Sequence, residues 1–397
     1  MAAAQTDPEP PDSGLDLDRV RETFEASTDF TVGIEEEFAL VDPALLELEH
    51  RFEDLYAACQ ADDELAKAAR GELIDTEIEI RSGRGETFAE ATDRQLERRR
   101  RLFALADELG IALAAMGTHP WDSYLDQRII DTEHYRRLAA ELRWVAQRNN
   151  SWSVHVHVGI RGADRAVAVS DRMRELLPPL LAASANSPFL DHRDTGLHSV
   201  RTEIFTRTFP RCGVHEPFGD WATYAEFVSL LERTGSITEA LQLWWSVRPH
   251  HAFGTVEVRI CDAQTRGAES LNIAALMTAC VAQAAIDHDE RGPAELLSGR
   301  EIEENLWRAI RHGLDGEMID FRRGDVVPTR RVLEEIVAWT EPARDELGLE
   351  VTVPERNGAQ RARAALADGA SIEEIYRHAV AETRETYAPA AAPVGDD

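Results

Sequence analysis

Thr-Val-Gly-Ile-Glu-Glu-Glu-Phe-Ala-Leu-Val, residues 31–41, alternates in the way an extended chain requires. With a period of two, Gly33, Glu35 and Glu37 share one side. Val32, Ile34, Phe38 and Leu40 share the other, which Glu36 interrupts. Three further segments repeat this pattern. In Leu73–Ile80, Asp75, Glu77 and Glu79 fall opposite Ile74, Thr76, Ile78 and Ile80. In Ser153–Ile160, His155 and His157 fall opposite Val154, Val156, Val158 and Ile160. In Gly254–Cys261, Thr255, Glu257 and Arg259 fall opposite Val256, Val258 and Ile260. If the four strands share a sheet, one face is apolar and packs on helices, while the other collects Glu, His and Arg. A face so charged is expected to be a site, because unpaired charge is too costly to bury in a core.

Around these strands, apolar residues at three-and-four spacing predict helices over Thr87–Leu109, Glu133–Gln147, Arg165–Ala185, Phe218–Thr234, Ser270–His288, Glu301–Gly313, Thr329–Leu347 and Ser371–Tyr387. Pro178-Pro179 is expected to break or kink the third of them. The ends are rich in Pro, Ala and Asp, and no repeat or long Gly/Ser linker interrupts the middle. The expected organisation is a flexible leader over 1–28, carrying a short helix near Leu15–Phe24, a single catalytic domain over 29–388, and a flexible tail over 389–397.

The composition narrows the chemistry. The 397 residues hold 43 Lys+Arg against 73 Asp+Glu, a formal charge of −30 that argues against nucleic-acid binding. Lys67 is the only lysine. A phosphate-binding P-loop needs a lysine directly after its last glycine, and Lys67 sits in Glu-Leu-Ala-Lys-Ala, so that chemistry is excluded. Schiff-base and pyridoxal-phosphate chemistry are disfavoured for the same reason. Arginine, backbone or a bound metal must handle any anion. No apolar run reaches the roughly 18–20 residues of a membrane helix. The first twelve residues lack the basic and apolar regions of a signal peptide, and a cytoplasmic location with no membrane partner is expected. Cys59, Cys212, Cys261 and Cys280 are scattered without a CxxC pair, which fits reduced thiols.

Two glutamates at i and i+2 on a strand, facing carboxylates of a neighbouring strand, repel by an energy on the order of several kcal/mol unless a cation lies between them. A hard divalent ion such as Mg²⁺ answers that need. On its own, the Glu35-Glu36-Glu37 triplet reads equally well as the exposed edge of an acidic protein. His155-Val156-His157 reads as a ligand pair, as a solvated face, or as the zinc pair of a barrel hydrolase. The last would need more ligands, for which His192, His198, His215, His250 and His251 are available in loop-like surroundings. Arg248-Pro249, then a turn, then a strand presenting Glu257 and Arg259, makes either a structural ion pair or the metal and phosphoryl contacts of a nucleotide site. The four strands together favour the site.

Several blocks carry a resemblance to a known family: Thr-Val-Gly-Ile-Glu-Glu-Glu-Phe (31–38), Gly-Thr-His-Pro (117–120), His-Val-His-Val-Gly (155–159), Leu-Pro-Pro-Leu-Leu-Ala-Ala-Ser-Ala-Asn-Ser-Pro-Phe (177–189), Asp-Thr-Gly (194–196), Trp-Trp-Ser-Val-Arg-Pro-His (244–250), Phe-Gly-Thr-Val-Glu-Val-Arg (253–259) and Glu-Asn-Leu-Trp-Arg-Ala-Ile-Arg-His-Gly-Leu (304–314). In this order they resemble the type-2 glutamate–cysteine ligases, which are carboxylate–amine ligases. The resemblance implies an α+β fold with a glutamine-synthetase-like core, a curved and mainly antiparallel sheet backed by helices. It also implies ATP and Mg²⁺ as cofactors, and glutamate with cysteine or another amine as substrates, joined through an acyl phosphate. Carried over by motif, Glu35, Glu37, Glu72, Glu79, His155 and Glu257 would bind Mg²⁺, with His157 beside them. Arg259 would face the ATP phosphates. Arg201 and Arg248 are candidates for the acid's carboxylates or the transferred phosphoryl group. A homo-oligomer is compatible with this reading. Two departures from the family pattern, Trp152-Ser153 ahead of the His strand and Asp75 with Glu77 on the second carboxylate strand, are expected to bear on the choice of amine.

Overall fold

The computed structural model describes residues 15–388. Its main sheet uses β1 (Val32–Val41), β2 (Ala69–Arg70), β3 (Glu77–Arg81), β4 (Ala112–Ala114) and β5 (Val154–Gly159). Two-residue strands β6 (Phe189–Leu190) and β7 (Arg193–Asp194) pair separately, after which β8 (Val247–His250) and β9 (Thr255–Val258) complete the main sheet. The spatial order is β2-β3-β1-β5-β9-β8, with β4 against the far end of β1, and every pairing is antiparallel. A hairpin of β10 (Glu317–Asp320) and β11 (Asp325–Pro328) stands apart. Gly159, which closes β5, is required by close approach: a Cβ there would lie 2.2 Å from the Thr28 carbonyl oxygen.

The back of the sheet is apolar as its alternation demands. Val32, Ile34, Val154, Val156, Val158, Val256 and Val258 are buried in one cluster with the helices Ala163–Met173 and Gly267–Arg291. Phe38, Leu40, Ile78 and Ile80 join a second cluster with the helices Phe88–Leu109 and Ile372–Tyr387. Among the described residues, Gly267–Arg291 is the one helix long and apolar enough to cross a membrane, although the sequence showed no such run, but 78% of its apolar window is buried inside the fold.

Glu36, the residue that interrupts the apolar side of β1, anchors this packing. Its carboxylate accepts hydrogen bonds from Arg99 Nε (2.6 Å) and Nη2, from Gln95 Nε2 (2.9 Å), and from the Ser270 hydroxyl. Gln95 and Arg99 sit one turn apart on Phe88–Leu109, and Ser270 lies on Gly267–Arg291, so one buried carboxylate ties two helices to the sheet. Arg99 is 0% and Glu36 2% exposed, where such a pair is tolerated only because its hydrogen bonds are filled.

Several boundaries differ from the sequence expectation for local reasons. The second carboxylate strand is only Glu77–Arg81, and Asp75 leaves the face to pair with His50 Nδ1 at 2.5 Å. Arg81 joins the face instead. The helix expected over Arg165–Ala185 is two, Ala163–Met173 and Leu177–Ser184, and the prolines occupy the first turn of the second, where they cost no hydrogen bond. Thr329–Leu347 breaks at Thr340, and Glu133–Gln147 tightens to a 3₁₀ stretch from Arg143. Val247–His250, expected to end in a turn, is a strand, and Pro249 is tolerated there because β8 is at the sheet's edge. The short helix near the leader's end spans Leu17–Glu25 and buries Phe24. The rest of the leader, to residue 14, and the tail from 389 lie outside the described residues.

Arg99→Leu leaves Glu36 buried without its counter-charge and is expected to cost about 3–5 kcal/mol in a urea titration. Glu36→Leu combined with Arg99→Leu should recover most of that loss. Equal midpoints for wild type and Arg99→Leu would contradict this anchoring.

Candidate functional site

Strand register arranges the front face in rows. Arg81, Glu35 and His155 stand opposite one another on β3, β1 and β5. One step along, Glu79 faces Glu37. One step the other way, Gly33, His157, Glu257 and Arg248 line up across β1, β5, β9 and β8. Period-two alternation sends all of these side chains to the same face. Glu72, just before β3, adds its carboxyl to them, since Glu37, Arg81, Arg259 and Glu35 are the charges that act on it.

Contacts on this face are short and largely buried. Glu35 lies 3.2 Å from Arg81 Nε, 3.3 Å from His157 Nε2 and 3.5 Å from His155 Nδ1. Glu37 accepts the Ser153 backbone N–H at 2.6 Å and its hydroxyl at 2.7 Å. Glu79 shares Arg81 with Glu35. Glu257 is held from both sides, by Arg248 Nε at 2.6 Å and by Arg259 Nη1. Glu77 accepts Asn149 Nδ2 at 3.1 Å.

Six carboxylates, Glu35, Glu37, Glu72, Glu77, Glu79 and Glu257, gather around Arg81, Arg248 and Arg259, with Arg70 of β2 opposite Glu79 at the edge. Burial raises the carboxyls, and the arginines overcome it for only some. Glu35 falls well below the usual range because Arg81 and the two histidines outweigh burial, and Glu257 does so because Arg248 and Arg259 outweigh it. Glu79 and Glu77 are pushed well above it by burial and by neighbouring carboxylates. Glu72 is pushed up to about 7 by burial and Glu37. The face holds more negative charge than its own cations neutralise.

Two groups of donors could take a cation: Glu35, His157 and Glu257, and Glu35, Glu79 and His155, each with one ligand atom per residue within 4.8 Å of the others. Glu35 belongs to both. His157 Nε2 is buried and makes no hydrogen bond, although it points at Glu35 and Glu257. An orphaned imidazole nitrogen between two carboxylates is the donor a metal would use. Two carboxylates with one imidazole suit a hard divalent ion better than zinc. The extra histidines of a zinc hydrolase do not assemble here. His250 packs edge-on to His157 with centroids 5.0 Å apart, whereas His192 stacks on Trp121, His215 packs against Trp245 and His251 bonds Tyr224.

The profile of Glutamate-cysteine ligase family 2 matches residues 31–386. The chain belongs to this family. It is 36% identical over 368 residues, 91% of this chain and 94% of the relative, to "Putative glutamate--cysteine ligase 2-2" of Rubrobacter xylanophilus. It is 37% identical over 344 residues, 87% and 90%, to "Putative glutamate--cysteine ligase 2" of Sorangium cellulosum. Its fold is similar to that of the Francisella tularensis glutamate–cysteine ligase solved in complex with AMP, with TM-score 0.65, 10% identity, and 94% and 91% of the two chains covered. It is also similar to a bifunctional glutathione synthetase of Pasteurella multocida, with TM-score 0.66, 11% identity, and 93% of this chain and 54% of that one covered. The enzyme is a carboxylate–amine ligase with the helix-backed antiparallel sheet of these neighbours.

The ligase brings together Glu35, Glu37, Glu72, Glu79, His155, His157, Glu257 and Arg259, as the motifs suggested. Arg248, besides Glu257, donates through Nη1 to the carbonyls of Leu243 (2.6 Å) and Leu241 (3.2 Å), contacts that hold it beside Glu257. Arg201 lies under β9, donating to the carbonyls of Ile260 and Arg259 and facing Asp262 at 3.4 Å. Its Nε is unpartnered, and with Arg259, Ser246, Thr206 and Trp244 it lines a small pocket. Trp152 turns into the core, 1% exposed. Sequence reasoning missed Arg81 and the role of Ser153. Arg81 was legible as the next odd position after Glu79, but Ser153 acts through its backbone N–H and hydroxyl together, a pairing that no pattern records.

Arg248→Leu should lower stability by about 2 kcal/mol, the scale of a lost charge-assisted hydrogen bond, read by thermal or urea denaturation. An unchanged midpoint would show that Arg248 does not hold Glu257.

Proposed function

We propose that this ligase uses ATP and Mg²⁺ to join the side-chain carboxylate of glutamate to the amino group of cysteine or a related amine. The observation that carries the proposal is the pair of donor groups meeting at Glu35, next to a glutamate held by two arginines. Glu35, Glu37, Glu72, Glu79, His155 and Glu257 would hold Mg²⁺, which when bound neutralises charge on phosphoryl oxygens. Arg259, whose Nε is buried and unpartnered, would bind the transferred phosphoryl group, and Arg201 donates to its backbone carbonyl. Activating the carboxylate as an acyl phosphate lets the amine displace phosphate, so no enzyme nucleophile is needed. The thiols agree with this, since burial pushes Cys59, Cys212 and Cys261 up to about 12. The names of the curated relatives support glutamate and cysteine as substrates, and the AMP complex of the Francisella enzyme supports an adenine nucleotide. ATP is a cytoplasmic substrate, and the ligase is proposed to act there.

The deciding experiment measures ADP release with glutamate and a panel of amines, with mass spectrometry of the amide. Amine-dependent ADP release with a matching γ-glutamyl product is expected. A folded protein that binds Mg-ATP but releases no ADP with any amine would overturn the reading.

Mg²⁺ should raise the melting temperature of wild type and lower its nucleotide Kd, while Glu35→Gln, which removes a donor common to both groups, should show neither effect and lose activity by about 100-fold or more. Equal Mg²⁺ responses in the two proteins would argue against Glu35 as a shared ligand.

A further inference from the structure

Glu77 is the carboxylate on the front face that the ligase reading leaves without a task. It is 1% exposed, its Oε2 is buried with no hydrogen-bond partner, and it lies outside both groups of metal donors. Its nearest strong charges are Glu37, Glu72 and Glu79, all of its own sign. Every other carboxylate of β1, β3 and β9 on this face has a donor of its own. Glu35 and Glu79 have Arg81, Glu37 has Ser153, and Glu257 has Arg248 and Arg259. Glu77 has only the neutral amide of Asn149 on Oε1. Arg148, the cation next to Asn149 in sequence, lies over the Tyr124 ring, 3.4 Å from its centroid.

Its place on the face makes this charge informative. Arginines occupy the rows through Glu35 and Glu257, where the anionic partners of the reaction, phosphoryl group and acid, need them. Glu77 is on the same face of β3 as Arg81 but four residues away, about 13 Å along an extended strand, past the row in which Arg70 of β2 stands opposite Glu79. Anions are disfavoured there, and a small cation with N–H donors fits. The third reactant of the ligase is such a cation, because an amino acid's amino group is an ammonium at neutral pH.

We infer that Glu77, steadied by Asn149, binds the ammonium group of the incoming amine. This rests on the ligase reading. The buried, unpartnered Oε2 accepts an ammonium N–H in a charge-assisted hydrogen bond. Glu77 thereby selects amines that arrive charged; its contribution is to binding of that one substrate, which gives up one proton to solvent before its lone pair forms the C–N bond and phosphate leaves.

The test compares wild type with Glu77→Gln, which keeps the shape and removes the charge, using two acceptors. One is cysteine, or whichever amine of the panel gives the best turnover. The other is hydroxylamine, which is mostly uncharged near neutral pH and traps the activated carboxylate as a hydroxamate. Glu77→Gln should raise KM for the charged amine by about tenfold or more, the value of a lost hydrogen bond to a charged group. KM for ATP and for glutamate, the Mg²⁺ requirement, and hydroxamate formation should stay unchanged. An unchanged amine KM overturns the inference, as does a rise matched by an increased Mg²⁺ requirement, which would make Glu77 a metal ligand. If Glu77→Gln fails to fold, Asn149→Ala must show the same selective rise in amine KM, and its absence overturns the inference. A wild type that forms hydroxamate but shows no effect of either substitution refutes Glu77 alone. A wild type that forms neither hydroxamate nor amide refutes the ligase reading and this inference with it.

Discussion

Glu35 stands opposite Arg81 on one neighbouring strand and His155 on the other, and the chemistry of the face depends on that register. In an antiparallel sheet a slip of one residue would send the whole charged set to the back and the valines to the front. The slip is blocked from behind. Glu36, the next residue, is bound by Arg99, Gln95 and Ser270 in a buried cluster that has no equivalent on the front. The same strand therefore fixes the site twice, by what Glu35 meets in front and by what Glu36 meets behind.

The front face also shows how a fold can keep excess charge of one sign. Carboxylates packed this closely would protonate or separate if nothing opposed them, and the arginines oppose them unevenly. Toward β9 and β8 the carboxylate is over-supplied with cations, and Glu257 is well below its ordinary range. Toward the start of β3 burial and neighbouring carboxylates prevail, and Glu72 and Glu77 are pushed upward. That gradient lies along the sheet and gives the face an end suited to anions and an end suited to cations. A ligase has to bring reactants of both signs to one carbon atom.

Much of this could be read from the chain before its structure. Period-two alternation found β1, β5 and β9 and the correct face for Glu35, Glu37, His155, His157 and Glu257, because a half-buried strand constrains alternate residues strongly. It failed where the constraint is not alternation. Leu73 and Ile74 are buried ahead of β3 without belonging to it, so the apolar pattern ran on past the strand's true start and drew Asp75 into the face. Glu36 looked like a defect because its partners, Arg99 and Ser270, are 63 and 234 residues away. The bonds from Arg248 to the carbonyls of Leu241 and Leu243 were not legible, because backbone acceptors carry no side-chain signature. Glu72 came only from the family's spacing, since it lies outside any regular strand.

The near-absence of lysine acquires a physical sense in these contacts. Arg81 serves Glu35 and Glu79 together. Arg248 serves Glu257 and two carbonyls, Arg201 serves Asp262 and two carbonyls, and Arg99 takes both oxygens of Glu36. Each role needs several N–H groups spread over one rigid plane, and an ammonium, whose three N–H bonds leave a single atom, cannot span such separated partners in a place where water does not reach. The guanidinium also keeps its charge when buried, whereas a lysine among these residues could shed its proton and leave the carboxylates unopposed. A site that must hold a surplus of carboxylates in fixed rows is therefore one that arginine can build and lysine cannot.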